Sequence, residues 1–257
     1  MSPGWTNSPA TTKLESWKNM TINLAAKLRE GTRKAHTMAE NVGFVKCFLK
    51  GVVEKNSYRP LVANFYFIYS AMEEEIERHR NHPVVAKIYF PELNRKQSLE
   101  KDLAYYYGPQ WRDVVAPSNA AKAYVERIRE ISVTAPELLI SHSYTRYIGD
   151  LSGGQILKGI AVRAMNLSDG VGTDFYEFPG IPDEKGFKNN YRQSLDSLDL
   201  DDAACDRIVE EANAAFGMNM KLFMELEGSL VKAIGQMLYN TLTRKRSGGS
   251  TELVTAE

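Results

Sequence analysis

Polar breaks divide this chain into long stretches in which apolar residues recur every three or four positions. Residues 58–80 are the clearest case: Leu61, Phe65, Ile68 and Met72 fall on one stripe, the spacing of an amphipathic helix. Ser57 stands where a cap is expected, Pro60 falls in the first turn where a missing N–H costs little, and His82-Pro83 marks the stop. Residues 118–132 repeat the pattern with Tyr124, Ile128 and Ile131 on the apolar side. A longer helix over 137–165 follows Pro136, and from Asp202 the pattern runs on towards Leu242. Convincing strand alternation, an internal repeat and a Pro/Gly/Ser linker are all missing from residues 22–243, which therefore read as one all-α domain, a helical bundle. Residues 1–21 read as a loose tail with a short helix possible over 12–20, and 244–257 as a disordered tail. The glycines and prolines of 166–182 read as a surface connection, without the acidic positions that a calcium loop requires.

Two places break the pattern in ways that call for chemistry. In L-R-E-G-T-R-K-A-H-T-M-A-E, read as a helix, His36 has Glu40 one turn on and Arg33 and Arg29 on the turns before it. An imidazole beside a group that accepts its second N–H is the arrangement of a metal-bound histidine, and the arginines suit an anionic ligand. The second is G-D-L-S-G-G-Q, Gly149 to Gln155, inside the helix that starts near Glu137. Each glycine in a helix interior costs roughly 1 kcal/mol relative to alanine, so three within six residues cost about 3 kcal/mol. Close helix packing through Gly149 and Gly153 would account for this, and so would a backbone that kinks and approaches a flat ligand, with Asp150 carried to it. The string L-S-G-G-Q also occurs in ATP-binding cassette transporters, but the phosphate loop that reading needs is missing.

Composition narrows the options further. Thirty-two basic residues balance thirty-two acidic ones, so no global field points to nucleic acid. Cys47 and Cys205 have no CxxC spacing, which argues against a disulfide framework or thiolate metal site and fits a reducing cytosol. The first twenty residues lack the apolar stretch of a secretory signal, and no run of about 18 apolar residues predicts a membrane span. No histidine has a glutamate three positions before it, against a di-iron carboxylate site. A thiaminase-like enzyme would want a reactive cysteine such as Cys47 and would leave His36 without a purpose. His142 reads as a structural histidine, and His79 and His82, at a helix end beside Pro83, as solvent-exposed.

Taken in order, R-x-G-T-x-x-A-H-x-x-A-E, Y-F-P-E-L, L-x-x-D-L-x-Y-Y-Y-G-P, T-A-P-E-L-L-I-S-H-S-Y-T-R-Y-I-G-D-L-S-G-G-Q and F-K-N-N-Y-R resemble the heme oxygenase family over residues 22–243. The ending L-T-R-x-R-S-x-G-S-T-E most resembles soluble cyanobacterial and algal plastid members. The resemblance implies a bundle with heme sandwiched between a proximal and a kinked distal helix. It implies cleavage of heme at a meso carbon, the α one, using O2 and reducing equivalents, to biliverdin, CO and Fe2+ for bilin pigments. His36 would be the proximal iron ligand and Glu40 the carboxylate near its ring. Gly149 and Gly153 would line the distal face, where Asp150 would hold an ordered water with Tyr69 in the same network. Arg29, Lys188 and Arg192, with the Tyr144 hydroxyl, would hold the propionates, and Phe216, with Phe223, would wall the pocket. Arg33 and Lys34 would face solvent or an acidic redox partner. Reduced ferredoxin would be the electron donor, a bilin reductase would act downstream, and the location would be the cytoplasm, or the plastid stroma in an alga. The alternative is a non-catalytic heme carrier or scavenger of the same fold, for which Asp150 among helix glycines has no use.

Overall fold

The computed structural model describes residues 23–168 and 170–247, with side chains as far as Glu227. Ten helices organise them: α1 Leu24–Gly31, α2 Arg33–Glu40, α3 Gly43–Leu49, α4 Lys55–Arg78, α5 Lys96–Tyr107, α6 Asn119–Thr134, α7 Leu139–Ser143, α8 Gly149–Met165, α9 Glu184–Asp196 and α10 Asp202–Ser247. Short 3-10 segments and the single turn Trp111–Val114 connect them, and no strand occurs among the described residues. The expected tails lie outside the described residues, apart from the last turn of α10, which runs to Ser247.

Side chains that accept the free N–H groups of first turns set the helix starts. Asn23 Oδ1 takes Ala26 N–H at 2.7 Å, Ser118 Oγ takes Ala121 N–H at 3.2 Å and Asp183 Oδ1 takes Gly186 N–H at 2.9 Å. The central member is α4, whose Leu61, Phe65, Ile68, Tyr69 and Met72 are all buried, and it packs on α5 and α6. Against α1, α2, α3, α6 and α7 lies the long α10. Between α1 and α2 only Thr32 intervenes, its hydroxyl donating to Leu28 O at 2.7 Å, so the chain bends there without leaving the helical region.

Several expectations need correction. The start of α4 is Glu54 rather than Ser57: Ser57 lies three residues in, its Oγ accepting Glu54 N–H at 3.2 Å. Pro60 is therefore in the second turn, where it removes one backbone donor. The predicted single helix over 137–165 is instead a 3-10 turn Pro136–Leu138, then α7, a π-helical turn Tyr144–Ile148 and α8. The wide turn lies immediately before the glycines, and it drives Arg146 and Tyr147 inward, both buried. Residues 166–182 are no mere surface connection. Asn166 ends α8 with a φ of 49°, after which Phe175, Tyr176, Phe178 and Ile181 are all buried, because the turns aim the apolar residues between them at the core. His79 and His82 are half-buried and have partners, Ser132 Oγ at 2.9 Å and Val84 N–H at 3.3 Å. His142 is fully buried and meets Glu211 at 3.0 Å, the structural part expected of it. Cys47 and Cys205 are both free, and no described helix is long and apolar enough to cross a membrane.

Candidate functional site

A cavity of about 360 Å³ separates α2 from α8. His36 and Glu40 line it from α2, Phe44 and Phe48 from α3, Gly149, Asp150 and Gly153 from α8, and Phe216, Asn219 and Phe223 from α10. The volume lies in the usual range of small-molecule sites.

The helical i,i+4 relation brings His36 Nδ1 to 3.7 Å from Glu40 Oε1. Nε2 of the same ring has no partner among the described residues. Phe216 meets the imidazole edge-on, with centroids 5.7 Å apart, and Phe223 stacks on Phe44. On the other side, Gly149 and Gly153 present bare backbone: a Cβ added at either meets no atom within 4 Å, so the open space is the cavity itself.

Asp150 belongs to a network that spans three helices. Tyr69 of α4 donates its hydroxyl proton to Asp150 Oδ2. Arg146, brought in by the π turn, donates through Nε to Tyr69 Oη at 2.8 Å and through Nη1 to Asn219 Oδ1 at 2.9 Å. Its guanidinium also lies over the Phe65 ring, 4.3 Å from the centroid. Burial pushes the Asp150 carboxyl above the usual carboxylate range, with the Arg146 charge and the Tyr69 hydroxyl pulling the other way. Burial also lifts Tyr69 well above the usual phenol value, so it keeps its proton and acts as donor. Burial works against the Arg146 charge, but the neighbouring Asp150 carboxyl and the Tyr69 hydroxyl that accepts from it leave the guanidinium above its ordinary value. Thr145 lines the cavity with a buried hydroxyl that has no protein partner.

Arg29, Tyr144, Lys188 and Arg192 lie outside the cavity lining. Three of them gather at one place: burial raises the Tyr144 hydroxyl, and the charges of Arg192 and Arg29 both pull it the other way. Lys188 Nζ donates to Leu151 O on α8 at 3.1 Å, and Arg192 Nη1 to Asn189 Oδ1 at 3.0 Å. Tyr69 does not line the cavity and reaches the site through its hydrogen bonds with Asp150 and Arg146. Arg33 and Lys34 are exposed.

Among the lining residues that the sequence reading did not place there are Arg146, Asn219, Phe175 and Tyr176. Asn219 was within reach of it, three positions after Phe216, whereas Arg146 is turned inward by the π turn. No spacing signals the last two, because the segment carrying them is irregular.

The family model described as heme oxygenase matches residues 22–225. Heme oxygenase 1 of a Nostoc species is 73% identical over 238 residues, covering 93% of this chain and 100% of that protein. Heme oxygenase of Rhodella violacea is 60% identical over 227 residues, 88% of this chain and 97% of that one. The crystal structure of heme oxygenase-1 from the cyanobacterium Synechocystis, in complex with heme, superposes with a TM-score of 0.83 at 67% identity, over 86% of this chain and 100% of that one.

Proposed function

The chain belongs to the heme oxygenase family, and from that premise we propose that it opens heme at the α-meso carbon with O2 and reducing equivalents, yielding biliverdin, CO and Fe2+. The observation that carries this reading is the pairing of uncommitted groups across one cavity. A histidine with a free ring nitrogen stands on one wall, and bare glycine backbone beside a carboxylate on the other. Such a cleft suits a flat apolar ring with a metal at its centre.

When bound, heme supplies both the iron that reduces O2 and the ring that is cut. His36 Nε2 would hold the iron, Glu40 would steady the ring from the Nδ1 side, and Phe216 would fix the imidazole plane. The hydroxyl of Tyr69 ties down Asp150 Oδ2 and so leaves Oδ1 to hold a water in the cavity. A proton would pass through that water with no acidic side chain in contact with the reacting atoms, and the Arg146 charge would oppose the upward push of burial on the Asp150 carboxyl. Gly149 and Gly153 would present bare backbone to the ring and to a small co-substrate. Arg29, Lys188 and Arg192, with the Tyr144 hydroxyl, would hold the propionates and so set which meso carbon is attacked. Electrons would come from reduced ferredoxin, with exposed Arg33 and Lys34 available to an acidic donor, and the product would pass to a bilin reductase. Likeness to cyanobacterial relatives supports that setting, the cytoplasm or, in an alga, the plastid stroma.

The test is aerobic turnover: bind hemin, add ascorbate or reduced ferredoxin, and follow the Soret band. Loss of the band with growth of biliverdin absorption and released CO is the expected result. A histidine-type heme spectrum that persists under reductant and O2 would instead identify a carrier.

A further inference from the structure

The segment 172–178 forms part of the cavity wall without belonging to any long helix, and α5 holds it in place. Asp102 on α5 is fully buried, and its two carboxylate oxygens accept the backbone N–H groups of Asp174 and Phe175, each at 2.9 Å. Tyr106, one turn on, donates to Gly172 O at 3.0 Å, where a φ of 82° turns the chain inward. At the N-cap of α5, Arg95 lies over the Phe178 ring, 3.8 Å from the centroid, and donates to Glu177 O. Phe175 then packs against the Phe65 ring at 5.3 Å and the Tyr69 ring at 5.3 Å, beside Tyr176. A buried carboxylate is thus joined through two amides and one aromatic ring to the tyrosine that orients Asp150.

We infer that Asp102 is a positioning residue for the reaction: its bidentate grip on the Asp174 and Phe175 amides presses Phe175 against Tyr69 and so keeps Tyr69 aimed at Asp150. Burial pushes the Asp102 carboxyl up to about 7 while the two amide N–H groups converging on it pull the other way, so the carboxyl is held as an acceptor for both. An amide in its place could accept from one N–H but would turn its own NH2 towards the other. Lys101 and Asp174 form an ion pair beside this site at 3.7 Å, both partly exposed, and do not replace the buried contact. This role rests on the proposed function of the Tyr69–Asp150 pair, whereas the grip itself is testable without heme.

The experiment has two arms. Hydrogen exchange on the heme-free protein compares wild type with Asp102→Asn and with the milder Tyr106→Phe. Exchange at the Asp174 and Phe175 amides is expected to quicken at least tenfold in Asp102→Asn and by less in Tyr106→Phe, with protection of α4 and α10 unchanged. Unchanged protection at those two amides in both variants would overturn the inference. If Asp102→Asn does not fold, Tyr106→Phe alone decides this arm. In the second arm, single-turnover rates are measured for Phe175→Leu, for Tyr106→Phe and for Asp102→Asn in the wild-type and Phe175→Leu backgrounds. Asp102→Asn is expected to slow turnover several-fold in the wild type, leave hemin affinity within twofold, and add almost nothing to Phe175→Leu. Equal losses in both backgrounds would mean that Asp102 acts on stability alone and would refute the positioning role. Should neither wild type nor any variant turn over while the exchange result holds, the grip stands and the functional reading fails.

Discussion

Gly153→Ala should make the protein more stable and less able to bind its substrate. Gly153 lies well inside α8, where replacing glycine by alanine favours the helix by roughly 1 kcal/mol. That gain is normally cancelled when the new methyl group has nowhere to go. Here the added Cβ meets no atom within 4 Å, so nothing must move to accept it. For a domain of this size the gain corresponds to about 2–4 °C in melting temperature. The methyl group projects into space that the proposed function reserves for a ring and a small ligand, so hemin affinity and turnover should both fall, by about tenfold or more in turnover. Gly31→Ala supplies the internal control: its Cβ would collide with Val209 Cγ1, and this variant should melt below wild type. The assay is calorimetry on the heme-free proteins together with hemin titration at the Soret band. A Gly153→Ala protein no more stable than wild type, or one that binds and degrades hemin normally, would refute the claim that the glycine is kept for the cavity at the expense of the helix.

Arg146→Met should destabilise the fold by about 3–5 kcal/mol, because it strips a buried cation from Asp150, Tyr69 and Asn219. Adding Asp150→Asn should restore at least about 1 kcal/mol, because the unpaired charge is removed as well. Urea denaturation decides, and a double variant no more stable than Arg146→Met would show that the two charges are not coupled. Glu73 gives a pH prediction: burial raises its pKa to about 7, against the N–H groups of Arg95 and Lys96. A carboxyl whose folded pKa exceeds its unfolded value binds its proton more tightly in the native state. Its contribution is therefore full below the unfolded value and is lost as pH rises through 7. Glu73→Gln should flatten the loss of unfolding free energy between pH 5 and 8, and curves parallel to wild type would contradict this.

The helices were legible because burial imposes a period, and Leu61, Phe65, Ile68 and Met72 could be placed on one face by counting. His36, Glu40 and Phe216 line one cavity, since each lies on a regular helix whose facing is set by spacing. Asp150, Gly149 and Gly153 were conspicuous because glycine is costly where they stand. What stayed hidden depends on departures from regularity. The π turn that buries Arg146 leaves no periodic trace, since it shifts the register by one residue rather than ending the helix. Phe175 and Tyr176 face inward because Asp102, more than seventy residues away in sequence, accepts their segment's amides, a long-range contact that local pattern cannot express.

The most direct measurement compares single aerobic turnover of the hemin complexes of wild type and Asp150→Ala. If His36 holds the substrate and the Tyr69–Asp150 pair handles protons, the variant should bind hemin with nearly wild-type affinity while biliverdin and CO formation fall by about 10²-fold. Wild-type yields of biliverdin and CO from Asp150→Ala would contradict that division of labour.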